Sequence, residues 1–411
     1  MSDAATAGET APSPPLVSVL IPCWNAERTL ERAIESALEQ RAVPMECIVV
    51  DDASTDRTAE VAAAIARRDE RVVVVRLEAN AGVSSARNAG LERVRSEWLT
   101  MLDADDRFLP GGLATLIGAA LASDARAVIG QQVWWDGRRT WRTALYDIPD
   151  IRRAGRKSLA ANPGLLYSVS PHAKLFHRSC FEGLRFSGRV LGDQPWIVRA
   201  LLRAGDRIDV LGETVYEWYR APSGNGAGSI TTATRSSIRG GIEAAGVAAG
   251  AVAAVAEEAE QRLDAAQAER VLGTYVERLL TSDLGRHLTA ALGRRDPAIG
   301  DLLRAIRAFV VATPPRYLAA SDALARHILE PPVRRWRRLD AAAGAALEDL
   351  AETAVRLDPG AIRRRPPIAR LGLNLGLRAG GMHHRAAAAA LLTVQWLLET
   401  APPRLLRRLG R

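Results

Sequence analysis

Cysteine is scarce in this chain. It occurs three times in 411 residues, at Cys23, Cys47 and Cys180, and these positions form no cluster. Few, odd and scattered cysteines argue against a disulfide framework and favour a reducing compartment. We therefore expect a cytoplasmic protein, and its length allows two or three domains.

Long apolar runs are also missing. The nearest approach to a membrane span is residues 386–398, which Gln395 interrupts and which fall short of the roughly 18 apolar residues that a span requires. Residues 1–15 are small, polar and rich in proline, and they lack the basic start and apolar core of a secretory signal. We expect them to form a flexible tail.

Excess positive charge is confined to one end of the chain. The net charge is +8, but residues 361–411 hold ten arginines and one acid, Glu399, so this segment carries +9 and the rest carries −1. Together with Trp396 and its neighbouring leucines, these arginines predict contact with an anionic membrane surface. The alternative is a solvated basic face on a helical domain. Nucleic-acid binding is disfavoured because aromatic residues are not interleaved with the arginines.

The rest of the sequence falls into two parts that differ in composition and hydrophobic periodicity. Residues 16–130 alternate short β-like runs with helical patterns, which predicts a mostly parallel sheet covered by helices. Residues 131–232 are less regular, and "QQVWW" and "TVYEWYR" indicate strands of a mixed sheet. After the loop-like "APSGNGAGSITTATRSS" the chain is rich in Ala, Leu, Arg and Glu at helical spacing. We expect an α/β domain at 16–232 and an α-helical region with a basic tail at 233–411.

Acidic residues follow the second predicted strand. In "ECIVVDDASTDRTAE" the apolar run delivers Asp51 and Asp52 to a carboxyl end of the sheet, where open α/β folds bind ligands. Such a pair suits a ligand with hydrogen-bond donors, such as a nucleobase imide or ribose hydroxyls. The alternative is helix capping, for which Ser54, Thr55 and Asp56 are well placed.

A second acidic group follows the fourth predicted strand, in "EWLTMLDADDRFLP". Asp103 and Asp105 stand two residues apart beyond the strand end, and carboxylates suit Mg²⁺ or Mn²⁺, which bind substrate phosphates. The alternative is a solvated acidic turn. Zinc is disfavoured because His172, His177 and Cys180 have no common zinc spacing, so we interpret them as framework residues.

Between the two acidic groups lies "NAGVSSARNAGL", residues 80–91. Gly82 permits a tight turn, and Arg87 with the backbone N–H groups of a helix start can meet an anion.

These stretches follow one another in the order and spacing of a known family. "VSVLIPCWNAERTLERAIESALEQ", "VVDDASTDRT", "NAGVSSARNAGL" and "LDADD" resemble a family 2 glycosyltransferase with the GT-A fold, a nucleotide-diphospho-sugar transferase with a Rossmann-like mixed sheet, over roughly residues 16–220. The resemblance implies that Asp52 lies near the base, Arg87 near the nucleotide, and Asp103 near the donor sugar and ribose. It also implies Mn²⁺ or Mg²⁺ on Asp105 together with Asp103. The full set of expected nucleotide-sugar-binding residues is Pro22, Cys23, Trp24, Asn25, Asp51, Asp52, Gly82, Arg87, Asp103 and Ala104.

A later stretch, "VLGDQPWIVRALLRAG", resembles the motif from which inverting members supply a base. Asp193 and Trp196 fit it, but Gly192 stands where the family usually has Glu. Lys174 and Phe176 lie in a stretch that resembles the segment ahead of this motif. Asp193 is the expected catalytic base, and helix capping is the compatible alternative.

The expected function is transfer of a sugar from a nucleotide-diphosphate sugar to an acceptor hydroxyl, by single displacement with inversion. A glycan or lipid-linked glycan of the cell surface is the favoured acceptor, which would put the enzyme in the cytoplasm or at the inner face of the plasma membrane. One alternative is a nucleotide-sugar-binding scaffold without turnover. Another is a nucleotidyltransferase, but its glycine-rich loop near the first strand is absent from this sequence.

Overall fold

The computed structural model describes residues 14–220, 237–318, 323–335 and 339–357. The chain divides into two compact units that meet at residues 222–223. The predicted boundary at 232–233 and the predicted basic tail lie outside the described residues, as does most of the predicted flexible tail.

The first unit contains a ten-stranded mixed sheet. Its strands are β1 (Val17–Cys23), β2 (Met45–Asp51), β3 (Val72–Arg76), β4 (Trp98–Met101), β5 (Arg107–Phe108), β6 (Ala127–Trp135), β7 (Thr140–Arg142), β8 (Gly155–Lys157), β9 (Lys174–His177) and β10 (Ile208–Tyr219). Its helices are α1 (Leu30–Leu38), α2 (Thr58–Arg68), α3 (Val83–Leu91), α4 (Gly112–Ala122), α5 (Pro149–Arg152), α6 (Arg178–Phe181) and α7 (Gln194–Ala204).

The strand order is β3-β2-β1-β4-β9-β6-β10-β5, with β7 beside β6 and β8 beside β10. Strands β1 to β4 are mutually parallel, and β9 runs antiparallel between β4 and β6. Every residue of β1 and β2 is buried, as expected for parallel strands covered on both faces by helices. The α/β class and the mixed sheet predicted from the sequence are confirmed.

Parallel pairing puts the ends of β1, β2 and β4 at one edge of the sheet. Cys23 pairs with Asp51, and β4 pairs with β1 as far as Met101. The loops that begin at Trp24, Asp52 and Leu102 therefore leave the sheet side by side, which is where an open α/β fold presents a ligand site.

The second unit is helical throughout its described residues. Its α-helices are α8 (Ile238–Arg262), α9 (Ala265–Arg278), α10 (Gly285–Arg294), α11 (Ile299–Ala312), α12 (Pro315–Leu318), α13 (Glu330–Arg334) and α14 (Ala341–Leu357), with π-helical turns at Leu279–Leu284 and Leu324–Leu329. The helical region predicted for residues 233–411 is confirmed over these described residues.

Among the described residues α8 is the helix that combines an apolar composition with the length of a membrane span, and residues 386–398, which the sequence analysis singled out, lie outside them. By length and composition α8 is able to cross a membrane. Its small residues Ala244, Ala248, Val252 and Val255 are buried, and α8 packs on α9 and α11. Core helices of soluble proteins pass the same test, so the packing accounts for this composition.

Candidate active site

The loops after β1 and β2 hold each other. The backbone N–H of Asn25 donates to Ser54 Oγ at 2.9 Å, and Asn25 Oδ1 accepts from the backbone N–H of Thr55 at 2.9 Å. Asn25 and Ala53 have φ angles of 49° and 54°, a left-handed conformation that is uncommon outside glycine. The two loops therefore form one connected rim.

The residues of the first loop differ sharply in exposure. Pro22 and Cys23 are buried, the Cys23 thiol donates to the Val50 carbonyl at 3.4 Å, and burial raises the pKa of that thiol. Trp24 is 44% exposed. Of the four residues expected to bind the nucleotide sugar here, Pro22 and Cys23 belong to the frame, Asn25 is exposed but holds Thr55, and Trp24 presents an exposed ring.

Asp51 and Asp52 are both buried and both already hydrogen-bonded. Asp51 Oδ1 accepts from the Ser54 backbone N–H at 3.0 Å, which is the local turn role that the capping alternative describes. The two oxygens of Asp52 accept from the backbone N–H groups of Ala81 and Gly82, each at 2.8 Å. Asp52 therefore fixes the start of the 80–91 segment to the end of β2.

Helix α3 begins directly after the residues that Asp52 holds. Gly82 precedes the helix with a φ of 89°, a backbone conformation that favours glycine. Five residues on, Arg87 is buried, and its guanidinium lies 5.4 Å from the centre of the Phe186 ring. Arg87 Nη2 donates to Asp103 Oδ1 at 3.1 Å, so α3 meets the end of β4 through a charge-assisted hydrogen bond.

Asp103 lies between two nitrogen-bearing side chains. Its Oδ2 is 2.7 Å from His172 Nε2, while its Oδ1 faces Arg87. Burial by itself would raise the pKa of Asp103, but His172 and Arg87 outweigh it and hold that pKa below its usual value. Asp103 is an ionised carboxylate with 29% of its side chain exposed.

Asp106, by contrast, is fully buried and committed to β10. Its Oδ2 accepts from the Tyr216 hydroxyl at 2.7 Å, and its Oδ1 accepts from the backbone N–H of Tyr219 at 2.7 Å. The Tyr216 hydroxyl also accepts from the Asp103 backbone N–H at 3.2 Å. Burial, with Asp105 and Asp103 nearby, raises the pKa of Asp106. Sequence reasoning assigned no role to Asp106 or Tyr216, which together tie the acidic loop to the sheet.

Asp105 lies between these two on the chain, and its environment differs from theirs. Its backbone carbonyl accepts from Arg32 Nη2 at 2.7 Å, and Ala104 before it is buried. Burial and the neighbouring charge of Asp103 raise the pKa of Asp105 to about 6. A cation bound near Asp105 would favour its ionised form.

The donor atoms in this part of the site suit a hard divalent cation. Asp103, Asp106 and His172 bring one ligand atom each to within 4.8 Å of one another. The oxygens of Asp106 accept from Tyr216 and Tyr219, and those of Asp103 face Arg87 and His172, so a cation would share the Asp103 carboxylate with these two side chains. Asp105, the other expected ligand, is not among these three residues. One or two protein carboxylates completed by substrate phosphates are typical of Mg²⁺ sites. The sequence analysis had interpreted His172 only as a framework residue; the "HAKLFH" segment was the signal that it lies near the site.

Asp193 stands at the N-cap position of α7, but its side chain makes no capping hydrogen bond to the described backbone. Its negative charge acts on Lys174, whose ammonium is fully buried. Burial lowers the pKa of Lys174 to about 7, and Asp193 opposes that shift. Lys174 Nζ donates to Ser170 O at 2.8 Å and to His172 O at 3.3 Å.

Gly192 has no room for a side chain. A Cβ there would come within 2.5 Å of Ser187 O, 2.6 Å of Ser84 Oγ and 2.7 Å of Gly188 O. The Glu that the family usually has at this position therefore cannot be accommodated by the present backbone.

The structure brings Asp52 to Gly82 and Arg87 to Asp103, so the predicted nucleotide-sugar residues of β2, α3 and β4 form one connected group. The charge of Asp193 acts on Lys174, and Lys174 donates a hydrogen bond to the His172 carbonyl.

Comparison with known proteins bears on this group. The model of "Glycosyl transferase family 2" matches residues 18–185. Glycosyltransferase GlyG of Streptococcus pneumoniae is 30% identical over 223 residues, which cover 51% of this chain and 72% of GlyG. The chain belongs to glycosyltransferase family 2. The matched family segment ends before Gly192 and Asp193.

Other relatives of this family 2 chain are matched over shorter stretches. Succinoglycan biosynthesis protein ExoO of Rhizobium meliloti is 41% identical over 115 residues, which are 28% of this chain and 32% of ExoO. The match thus spans about a third of that relative's length. Among solved structures, S. aureus TarS in complex with UDP-GlcNAc aligns with a TM-score of 0.62 at 19% identity and covers 83% of this chain and 91% of that one. This likeness shows the shared GT-A fold.

Proposed function

We propose that this chain is a glycosyltransferase that moves a sugar from a nucleotide-diphosphate sugar to an acceptor hydroxyl by single displacement with inversion. The observation that carries the proposal is the ionised Asp103 carboxylate, held by Arg87 and His172 at the carboxyl end of β4, with Asp105 two residues further on. Family membership supports the reaction class.

In this proposal the connected rim of the first two loops receives the nucleotide. Trp24 offers an exposed ring for the base, and Asp52 keeps the 80–91 segment closed against the end of β2. Arg87, already charge-paired with Asp103, holds that carboxylate in one orientation toward the donor sugar and ribose. Because these contacts are made within the chain itself, they limit the ordering that binding requires.

Asp105 and Asp103 would hold Mn²⁺ or Mg²⁺, which neutralises the charge that develops on a departing diphosphate. Asp193 would accept the proton of the acceptor hydroxyl. Its carboxylate is not used as a helix cap within the described residues, and its charge acts on the buried Lys174. A single displacement needs one such base and no covalent intermediate.

The biological setting is part of the proposal. Relatives include a protein named for succinoglycan biosynthesis, and TarS was solved with UDP-GlcNAc. We infer a bacterial role in cell-surface polysaccharide synthesis, with a glycan or lipid-linked glycan as acceptor. The enzyme would work in the cytoplasm or at the inner face of the plasma membrane.

A donor screen tests the function. The full chain is incubated with UDP-, GDP-, dTDP- and CDP-sugars, with Mn²⁺ or with a chelator, and free nucleotide is measured. We expect one nucleotide class to be turned over with Mn²⁺ and not with the chelator. Nucleotide binding without turnover of any donor would contradict the proposal and favour the binding scaffold.

A further inference from the structure

One face of the sheet carries aromatic and polar side chains that the proposed chemistry does not use. In register, Trp134 of β6 pairs with Trp218 of β10, and Gln132 pairs with Tyr216. The indoles of Trp134 and Trp218 are stacked, with ring centroids 4.3 Å apart and planes 17° apart. Both are only partly buried, so they form a ledge at the surface of the sheet.

The ledge is continuous with the Asp103 site. The His172 ring is stacked on Tyr216 at 5.3 Å and lies 5.6 Å from the Trp218 ring. The same His172 contacts Asp103 at 2.7 Å. One imidazole therefore separates the reacting carboxylates from the indole pair.

Two residues before Trp134 on β6 is a buried amide that lacks a partner. Gln132 is 4% exposed, and neither Nε2 nor Oε1 has a hydrogen-bond partner among the described residues. A buried polar group left unsatisfied costs about 1–3 kcal/mol. Side chains alternate along β6, so Gln132 lies on the same face of the sheet as Trp134. The Nε2 donor and the Oε1 acceptor of Gln132 are therefore next to the indole that a ligand on the ledge would contact. His172 Nδ1 is likewise unpartnered in the described chain.

We propose that Trp134, Trp218, Gln132 and His172 form a subsite for a pyranose ring of the acceptor glycan. The C–H face of a pyranose is apolar and suits an indole face, while its hydroxyls suit an amide and an imidazole. The acceptor, and not the donor, is assigned because the nucleotide-sugar residues follow β1, β2 and β4, whereas the ledge lies on β6 and β10, beyond β9. This inference rests on the proposed function.

Binding of p-nitrophenyl pyranosides (gluco, galacto, manno and N-acetylglucosamine) to the full chain tests the subsite, with saturation-transfer NMR as the readout and UDP present. We expect ring protons of at least one glycoside to receive saturation. Trp218→Ala and Gln132→Leu should weaken that glycoside about tenfold or more, whereas Trp218→Phe, which keeps an aromatic face, should retain it within about threefold.

Donor hydrolysis by water is measured on the same variants, because it needs no acceptor. We expect Trp218→Ala to leave it unchanged. Absence of glycoside binding to the parent, equal binding by Trp218→Ala, or loss confined to nucleotide-sugar affinity would each overturn the acceptor subsite. If the parent hydrolyses no donor, the proposed function fails while the glycoside result still stands, so the two failures are distinguishable.

Discussion

Asp193 is the residue whose chemistry is easiest to separate from its structural role. General-base assistance contributes roughly 10² to 10⁴ in rate, so we expect Asp193→Asn to lower kcat at least about a hundredfold. Donor affinity should change little, because the amide keeps the shape and the side chain makes no capping bond to the described backbone. Steady-state kinetics with the donor found in the screen measures both. Turnover within about threefold of the parent would make Asp193 structural.

Asp105 and Asp106 are adjacent carboxylates with opposite expected roles. Asp106 is fixed by Tyr216 and Tyr219, whereas burial and the nearby charge of Asp103 raise the pKa of Asp105. We expect Asp105→Ala to abolish metal-dependent turnover and leave thermal unfolding nearly unchanged. Asp106→Ala is the matched control and should destabilise the fold by about 1–3 kcal/mol, because it leaves a buried hydroxyl unpaired. Full activity of the parent in excess chelator would contradict the metal assignment.

Gly192 gives a packing prediction at the same scale. Gly192→Ala should destabilise the protein by about 1–3 kcal/mol, because the new methyl meets two carbonyl oxygens. Gly118→Ala is the control: this glycine lies inside α4 with nothing within 4 Å of an added Cβ. That change should stabilise by about 0.5–1 kcal/mol. Chemical denaturation measures both, and equal effects would contradict the packing argument.

Single residues show where sequence reasoning stops. The motif predicted that Asp52 and Arg87 belong to the site, and the structure connects them to Gly82 and Asp103. The motif did not predict that both oxygens of Asp52 accept hydrogen bonds from backbone N–H groups. Those donors belong to a loop about 30 residues away in sequence. The contact of His172 with Asp103 was not predicted for the same reason, since the two residues are remote in sequence.

At the scale of elements, β2 illustrates how burial controls titration. Cys47 lies inside this strand and is fully buried. Burial, with Asp69 nearby, raises the pKa of its thiol from 9.0 to about 12. Between about pH 9 and pH 12 the Cys47 thiol stays protonated in the folded chain but loses its proton in the unfolded chain. The free energy of unfolding therefore falls as pH rises through this range.

The Cys47→Ala variant isolates this contribution. Below about pH 8 the parent should be more stable than the variant, because the smaller side chain leaves space in the core. The difference in free energy of unfolding between parent and variant should narrow by up to about 1.4 kcal/mol per pH unit above about pH 9. Urea unfolding of both proteins at several pH values measures the gap. A gap that stays constant up to about pH 10.5 would contradict the prediction.

The elements themselves were predictable to different degrees. Alternating apolar runs and helical patterns predicted β1 to β4 with α1 to α3, because each element there carries its own periodicity. The position of β9 between β4 and β6 was not predicted. Its antiparallel insertion depends on pairing with strands far away in sequence. The register shifts that bring Tyr216 opposite Gln132 also arise only from pairing.

At the scale of the whole molecule, charge separates the described units from the end of the chain. Residues 361–411 carry a net charge of +9, and the other residues together carry −1. We therefore expect an anionic membrane to attract this segment more strongly than the rest of the chain. Each basic side chain near such a surface contributes about 1 kcal/mol.

Replacing Arg404, Arg407 and Arg408 with Gln tests that attraction in the full chain. Three such charges are worth about 3 kcal/mol, so binding to phosphatidylserine liposomes at low salt should weaken by about a hundredfold. Donor turnover in solution should stay the same. The control replaces Arg138 and Arg139, an exposed pair beside Gly137, which removes two charges from the other unit. Sedimentation with liposomes at low and high salt gives the readout. If the triple variant sediments like the parent, or the control loses as much binding, the membrane contact of the basic tail is wrong, and the second unit must be assigned a role that does not depend on its charge.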